Sequence, residues 1–428
     1  METRKFAAAL IVCSILTSPP LFAAGHDPEI EAMRAQLQAF SDRLDQLEKS
    51  NLELRQENVL LRESSEKNAI DIAEVSEKTF TVAEQFSEAT VASSWAEKIR
   101  LKGDFRQRYE NIDEEGKEDR NRTRVRARAA IIAKVTDDVE VGLGMASGGD
   151  DPVSTNQTLG GGGSTKDLRL DLAYFKWNGL ENTSIVGGKF NNILYKAGKN
   201  TMLWDGDWNP EGLGLAWSQG VFFANVLGTW IESDSKKESE YSYGLQAGLV
   251  KKIGDGVTLT AGVGFYNLDT AGKGSFYGDD DDFFGNSFDP VTNTYLYNYE
   301  ELELFAELGF ELAGRPAMVF ADYVENQDAP EFDTGYTIGF KYGAAKARNT
   351  WELGYAWQDL EADAVFGLVT DSDYGGGGTD AEGHILKGAY AIDKNWNAGF
   401  TYFINESDAN AGNKHDYDRL QVDLVFKY

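Results

Sequence analysis

The chain has 428 residues, of which 45 are glycine, 8 are proline and 12% are aromatic, a composition that favours many strands and turns over a helical bundle. Its formal charge of −29 argues against nucleic acid as a partner, because phosphate binding needs a basic surface. Beyond the N-terminus the sequence has no apolar run of about 18 residues, the length that a membrane-spanning helix needs, although a membrane β-barrel stays compatible with this composition.

Residues 1–24 have the pattern of an export signal. Arg4 and Lys5 form a basic start, an apolar run follows over 6–16, and small residues precede the expected cleavage site. Cys13 is the one cysteine of the chain and lies within this signal. We therefore expect a mature protein without disulfides and without a cysteine-based metal site.

Residues 25–66 repeat apolar side chains at a spacing of seven. The two core positions hold Ile30, Leu37 and Leu44, continued by Asn51 and Asn58, and Met33, Phe40, Leu47, Leu54 and Leu61. Because one helix cannot bury such a stripe by itself, the pattern predicts a self-associating parallel coiled coil. A lone amphipathic helix lying on the next domain is the alternative. Residues 67–98 fit the frame more weakly and are expected to be a linker or a further helix.

From residue 99 to residue 428 the period is two, which is typical of strands. The expected strands lie near 99–110, 120–135, 138–147, 167–178, 183–190, 211–217, 220–232, 239–253, 256–268, 299–313, 316–325, 334–345, 349–360, 383–391, 395–405 and 417–428. Short turns alternate with long connections, and this alternation indicates an outer-membrane barrel with all its long loops on one rim. The predicted fold class is therefore all-β: a 16-stranded antiparallel transmembrane β-barrel after an N-terminal α-helical coiled coil. An even strand count would leave the coiled coil in the periplasm.

The second strand has one basic face and one apolar face. Its basic face consists of Arg120, Arg122, Arg124, Arg126 and Arg128. An arginine at the bilayer midplane costs about 2 to 4 kcal/mol, so in a membrane barrel this row must face a watery lumen. In a soluble two-layer protein the same arginines would face solvent and the apolar side would form the core.

The tenth strand alternates leucines with an acidic row. This row consists of Glu301, Glu303, Glu307 and Glu311. In a closed ring of sixteen strands the second and tenth lie half a turn apart, so we expect an arginine wall to face a glutamate wall across the pore, with Arg106, Arg108 and Arg169 extending the basic side. The alternative is that these charges merely solubilise a wide lumen.

The last strand carries apolar side chains on alternate positions up to the terminal aromatic residue. These are Leu420, Val422, Leu424, Phe426 and Tyr428. An aromatic end of this kind resembles the signal that the barrel-assembly machinery recognises. That machinery is an expected partner, together with outer-membrane lipid and lipopolysaccharide.

Residues 187–217 carry the segments Gly-Gly-Lys-Phe-Asn-Asn, Trp-Asp-Gly-Asp and Pro-Glu-Gly-Leu, and with them the chain resembles the "putative porin" family of proteobacterial outer membranes. The likeness extends to the plan of export signal, coiled coil and barrel. It implies a homotrimeric channel for small hydrophilic solutes whose third long loop, 191–210, folds into the lumen. Asp205, Asp207 and Glu211 are then the candidates for the constriction, and on an inward loop they are alternative partners for the arginines. The resemblance implies neither catalytic residues nor a cofactor.

An enzyme and a structural tether are the two other classes of function to compare with a channel. The histidines are His26, His384 and His415, and nothing in the spacing of Ser372 and Asp373 before His384 builds a nucleophile site, so we do not expect an enzyme. The acidic run 279–282 reads as a solvated loop tip, with divalent ions bridging to lipopolysaccharide as the alternative, and no metal site is predicted. A structural tether or adhesin in the outer membrane is the alternative function.

Overall fold

A computed structural model describes residues 45–64, 97–233 and 239–428, together with the isolated positions 35, 38, 39, 42, 43 and 67. The chain divides into two compact units, Met1–Ala92 and Ser93–Tyr428. The expected export signal and most of the expected linker lie outside the described residues. Among the residues that are described, no helix is both long enough and apolar enough to cross a membrane.

In the first unit, residues 45–64 form one helix, α1. Leu47, Leu54 and Leu61 recur on it at the heptad spacing, and each is at least 55% exposed. Asn58 donates from Nδ2 to the carbonyl oxygen of Leu54 at 2.9 Å, within the helix. The structure thus has an unburied leucine stripe on a helix, and the coiled coil over 25–66 stays a prediction.

The second unit is a closed antiparallel β-barrel, as the sequence predicts. Its sixteen long strands, numbered β1 to β16 in chain order, are Ile99–Glu114, Arg120–Lys134, Val139–Ser147, Leu168–Leu180, Thr183–Lys189, Glu211–Gln219, Phe222–Glu232, Glu240–Gly254, Val257–Leu268, Tyr299–Leu312, Arg315–Asn326, Thr334–Gly343, Trp351–Leu360, Ala381–Asp393, Trp396–Ser407 and His415–Lys427. Every strand pairs antiparallel with its neighbours in the chain, and β1 also pairs with β16. Closure leaves this sheet no free edge.

Closure is supported by aromatic side chains on the outer face. Phe105 of β1 lies opposite Phe426 of β16, with ring centroids 6.2 Å apart, and Trp396 of β15 stacks on Phe426 at 5.4 Å. The terminal Tyr428 continues the pairing, because its backbone N–H donates to the carbonyl oxygen of Gly103. The aromatic end of the chain therefore belongs to the seam of the barrel.

The short turns have the backbone geometry that tight hairpins need. Ala313 and Gly314 alone connect β10 to β11, with φ angles of 49° and 73°. Two consecutive positive φ angles define a type I′ turn, whose twist matches that of the paired strands. A turn of two residues also fixes the register of β11 against β10.

The interior of the barrel is partly filled by its own long loops. The 190–210 loop between β5 and β6 and the 361–380 loop between β13 and β14 contribute eleven of the 21 buried residues of the larger apolar cluster. Trp204 of the first loop stacks on Trp208 at 4.8 Å and meets Tyr266 of β9 edge-on at 5.0 Å. Phe366 of the second loop belongs to the same cluster. The inward 361–380 loop was not expected from the sequence.

Candidate functional site

The inner faces of β1, β2 and β16 carry a dense group of charges, which we call the arginine cluster. Its basic members are Arg106, Arg108, Arg122, Arg124, Arg126, Arg128 and Arg419, and its acidic members are Asp104, Glu110, Asp423, Asp207 and Asp373. The register of β1 and β2 sets Arg106 opposite Arg126 and Arg108 opposite Arg124. Like charges directly opposite each other destabilise a sheet, and the carboxylates of the cluster offset this repulsion.

Three carboxylates of the cluster come from the barrel strands. Asp104 bridges Arg126 and Arg128, with Nη2 to carboxylate distances of 2.9 and 2.7 Å. Asp423 accepts two hydrogen bonds from Arg108, from Nε at 2.7 Å and from Nη2 at 2.8 Å. This fork geometry is the strongest form of the guanidinium–carboxylate contact.

The fourth carboxylate comes from the 190–210 loop. Asp207 accepts from Arg126 at 3.2 Å, from Arg128 at 3.0 Å and from the Thr155 hydroxyl at 2.9 Å. Burial alone would raise the pKa of Asp207, but Arg126 and Arg128 outweigh it and hold that pKa below its ordinary value. Asp207 is therefore an ionised anchor between the loop and β2.

The same loop is anchored at its other end to β8 and β10. The Tyr195 backbone N–H donates to Gln246 at 2.7 Å, and the Gly198 N–H donates to the Glu307 carboxylate at 2.8 Å. Gly198 has a φ of 57°, and a Cβ at this position would lie 2.3 Å from the ring of Phe320 on β11. Only glycine fits this position. The 190–210 loop thus crosses the interior from β2 to the strands on the far side.

The fifth carboxylate comes from the 361–380 loop. Asp373 binds Arg108 at 3.0 Å and also binds Arg419. Burial would raise the pKa of Asp373, but Arg419 and Arg108 lower it well below its ordinary value. An ionised carboxylate thus holds this loop to β1 and β16.

The two inward loops also contact each other. The Asp205 backbone N–H donates to the carbonyl oxygen of Val369 at 2.8 Å, and its carboxylate accepts from the Ser372 N–H at 3.1 Å. Burial, together with the neighbouring carboxylates of Asp371 and Asp207, raises the pKa of Asp205 well above its ordinary value. Asp205 thus differs from Asp207, because its surroundings favour the neutral form.

Four of the arginines predicted to line the pore have few or no acidic partners within the described residues. Arg120 is exposed at the start of β2, and Arg169 is half-exposed and pairs only with Asp167 at 3.6 Å. Arg106 donates to the amide of Asn156, whereas the closest carboxylate contact of Arg124 is 3.9 Å long. The Nε atoms of Arg106 and Arg124 are buried without a partner. The cluster therefore has seven guanidinium groups against five carboxylates.

The expectation of an open glutamate wall is wrong for two of its four members. Glu301 is 4% exposed and accepts from the Phe366 N–H at 2.9 Å, and Glu303 is 1% exposed and accepts from the Tyr266 hydroxyl at 2.6 Å. Glu311 alone of the four is exposed, near the short-turn rim. The inward loops occupy space that the sequence pattern predicted to be filled by water.

The prediction that Glu211 lies in the constriction is also wrong. Glu211 is the first residue of β6, shares the outer face with Leu213, and pairs with Lys189 at 2.9 Å. It does not join Asp205 and Asp207, because the strand begins at this residue and its period of two turns the carboxylate outward.

Ser372, Asp373 and His384 each have different partners and form no nucleophile site. The Ser372 hydroxyl donates to the carbonyl oxygen of Val153 at 3.0 Å, Asp373 binds arginines, and His384 contacts the Tyr355 hydroxyl at 3.0 Å. His384 shares the outer face with Tyr355, as the strand register shows. In the described parts of the chain, no three or more His, Cys, Asp or Glu side chains are arranged to hold a metal ion.

Sequence reasoning missed several members of the cluster. Arg419 and Asp423 alternate with apolar residues in the last strand, so the period of two could have placed them inside. Asp104 and Glu110 could have been found in the same way on β1. Asp373 had no such signal, because it lies in a loop that has no regular period.

A family model described as "Putative porin" matches residues 112–276 and 289–428. Among solved structures, OprB of Pseudomonas putida matches with a TM-score of 0.53 and 13% identity, over 79% of this chain and 96% of that chain. A loop-deletion mutant of OmpT from Vibrio cholerae matches with a TM-score of 0.46 and 11% identity, over 77% and 100%. No curated protein sequence matches the chain.

Proposed function

Because the chain belongs to the putative porin family, we propose that it forms a water-filled channel through which small hydrophilic solutes and ions diffuse passively. Its family and fold are those of an outer-membrane porin. The observation that carries the proposal is a closed barrel with an apolar outer face and the arginine cluster inside. Four arginines of β2 turned to lipid would together cost about 10 kcal/mol, so the charged face requires water.

The arginine cluster is the proposed wall of the pore. Six of its arginines come from β1 and β2. Of these, Arg126 and Arg128 bind Asp207 of the 190–210 loop, and Arg108 binds Asp373 of the 361–380 loop. Both loops are the proposed constriction, whereas the family resemblance implied only the first of them. Arg120 and Arg169 are then rim residues rather than constriction residues.

The proposed partners follow from the two units of the chain. The leucine stripe of α1 supports self-association, for which we propose a homotrimer with the coiled coil in the periplasm. The apolar C-terminal strand supports recognition by the barrel-assembly machinery, and the outer face supports contact with outer-membrane lipid and lipopolysaccharide.

Reconstitution of the purified, full-length mature protein into a planar bilayer tests the proposal. We expect stepwise, ohmic current increments in potassium chloride, grouped in threes when one trimer inserts. Liposomes that contain the protein should swell in isosmotic solutions of small sugars and not of large ones. Protein that inserts, as shown by protease protection, but conducts no current would refute the channel.

A structural tether or adhesin is the second candidate, and two observations favour it. The inward loops fill much of the barrel, and α1 presents its leucines to a partner. A tether would be silent in the bilayer and would still self-associate through 25–66. Conductance therefore separates the two candidates, and deletion of residues 25–66 should abolish association in either case.

A further inference from the structure

A pair of lysines lies on the barrel wall, outside the arginine cluster. Lys341 of β12 is opposite Gly354 of β13, and Gly354 is opposite Lys387 of β14. A Cβ on Gly354 would lie 3.6 Å from Cγ of Lys341 and 3.9 Å from Cβ of Lys387. Both lysine side chains therefore flank the glycine on one face, with backbones about 10 Å apart, two strand spacings.

This face points into the barrel. Ala356 and Gln358, which share the face of Gly354 on β13, are buried, whereas Leu353 and Tyr355 on the opposite face are 51% and 42% exposed. The alternation of the strand assigns Gly354, and with it both lysines, to the interior. Lys387 is exposed, so interior water reaches it.

A third lysine approaches from the 190–210 loop. Lys199 follows Gly198, whose backbone is held by Glu307 and packs against Phe320. The turn Ala197–Lys199 of this loop lies against β12, the strand that carries Lys341. The three ammonium groups therefore share one region below the anchored loop.

These lysines are left without acidic partners in the described part of the chain. Within the described residues, Lys199, Lys341 and Lys387 form no salt bridge, and Glu307 already accepts from the Gly198 N–H. An ammonium group has three donors, and like charges in a confined space repel unless a counter-ion separates them. The arginine cluster has its carboxylates built in, whereas this group has none in contact.

We propose that Lys199, Lys341 and Lys387 form a binding site for small dianions, such as phosphate or a short dicarboxylate, and that this site makes the channel anion-selective. The inference rests on the proposed channel function and names its solute class. Lysines suit a transit site, because they act as point charges and do not fix the geometry of the anion. Conduction requires a site that attracts the solute and still releases it.

Gly354 allows a direct test. Replacing it by Glu places a carboxylate between the two lysines, and Gly354→Gln adds nearly the same volume without charge. Both should fold, because the new Cβ meets its neighbours at ordinary contact distances. In a tenfold gradient of potassium chloride, we expect the wild type and Gly354→Gln to reverse on the chloride side of zero. Gly354→Glu should shift the reversal potential towards potassium.

Binding is measured with two probes added to one side, sodium phosphate and sodium succinate. Each should reduce the chloride current, and Lys387→Gln should raise the half-blocking concentration by about tenfold, the loss expected for one hydrogen bond to a charged group. Lys346→Gln, in the turn 344–350, is the matched control and should change nothing. If only phosphate or only succinate reduces the current, that result identifies which class of dianion the site binds.

The results that would overturn the anion site differ from the result that would overturn the channel. A conducting wild type that prefers potassium, or a Gly354→Glu variant identical to Gly354→Gln, would overturn the anion site and leave the channel standing. An inserted but silent wild type would instead overturn the proposed function.

Discussion

Replacing Asp373 by asparagine removes the carboxylate that holds the 361–380 loop to the barrel wall. The side chains of its partners are 5% exposed for Arg108 and 3% exposed for Arg419. Removing one partner of a buried ion pair costs about 3 to 5 kcal/mol. Because Arg108 keeps Asp423 and Arg419 keeps Glu110, we expect the lower value, about 3 kcal/mol.

That cost falls on the attachment of the loop, since the sixteen paired strands do not depend on Asp373. A loss of 3 kcal/mol raises the population of the released loop by about 150-fold. Single-channel recordings should therefore show a larger or more frequent open level for Asp373→Asn, and limited proteolysis should cut within 361–380 faster. The thermal midpoint of the barrel should change little.

The control is Asp167→Asn, which breaks an exposed contact to Arg169 of 3.6 Å. Exposed pairs contribute about 0 to 1 kcal/mol, so this variant should match the wild type. If Asp373→Asn also matches the wild type in conductance and in proteolysis, the loop is not held by this carboxylate and the reasoning fails.

Three further predictions concern the loops, the pore wall and the helix. The pKa values of Asp207 and Asp373 are lowered, so their contribution to loop attachment is present above the ordinary aspartate pKa of about 3.9 and is lost as the pH falls through the lowered values. The difference in conductance between the wild type and Asp373→Asn should therefore be constant from pH 7 to pH 4 and disappear only below, and a difference that disappears near pH 6 would contradict this. Replacing Arg124, Arg126 and Arg128 together by alanine should shift the reversal potential towards cations, and an unchanged potential would remove them from the pore lining. Leu54→Asp in α1 should abolish the cross-linked oligomer but not the conductance of single barrels, whereas Glu57→Gln on the same helix should preserve both.

The strands and their sidedness could be predicted from the sequence because each is a local property. A residue and its second neighbour share a face by backbone geometry alone. The arginines of β2 and the leucines of β10 therefore indicate that the two faces of each strand have different surroundings. The same rule places the terminal tyrosine of the chain on the apolar face of the last strand. Hairpin turns are local as well, although the turn after β10 lies at Ala313-Gly314, one residue before the 314–315 position that the sequence pattern indicated.

The composition of the site could not be predicted in the same way. Asp373 is 265 positions from Arg108, and Asp207 is 81 positions from Arg126. Which carboxylate reaches which guanidinium depends on the path of two loops, and those paths are held by contacts such as Gly198 against Phe320. Glu301 and Glu303 were expected to face water for the same reason, since nothing in their strand indicates that a loop covers them.

By itself, then, the sequence determined the barrel: the number of strands, their order, and which face of most strands points inward. The tertiary structure alone decided what fills the barrel, because the long loops have no period and adopt the conformation that satisfies charges carried by distant strands. Seven guanidinium groups on neighbouring strands would repel one another, and the inward folding of Asp207 and Asp373 supplies two of the carboxylates that oppose this repulsion.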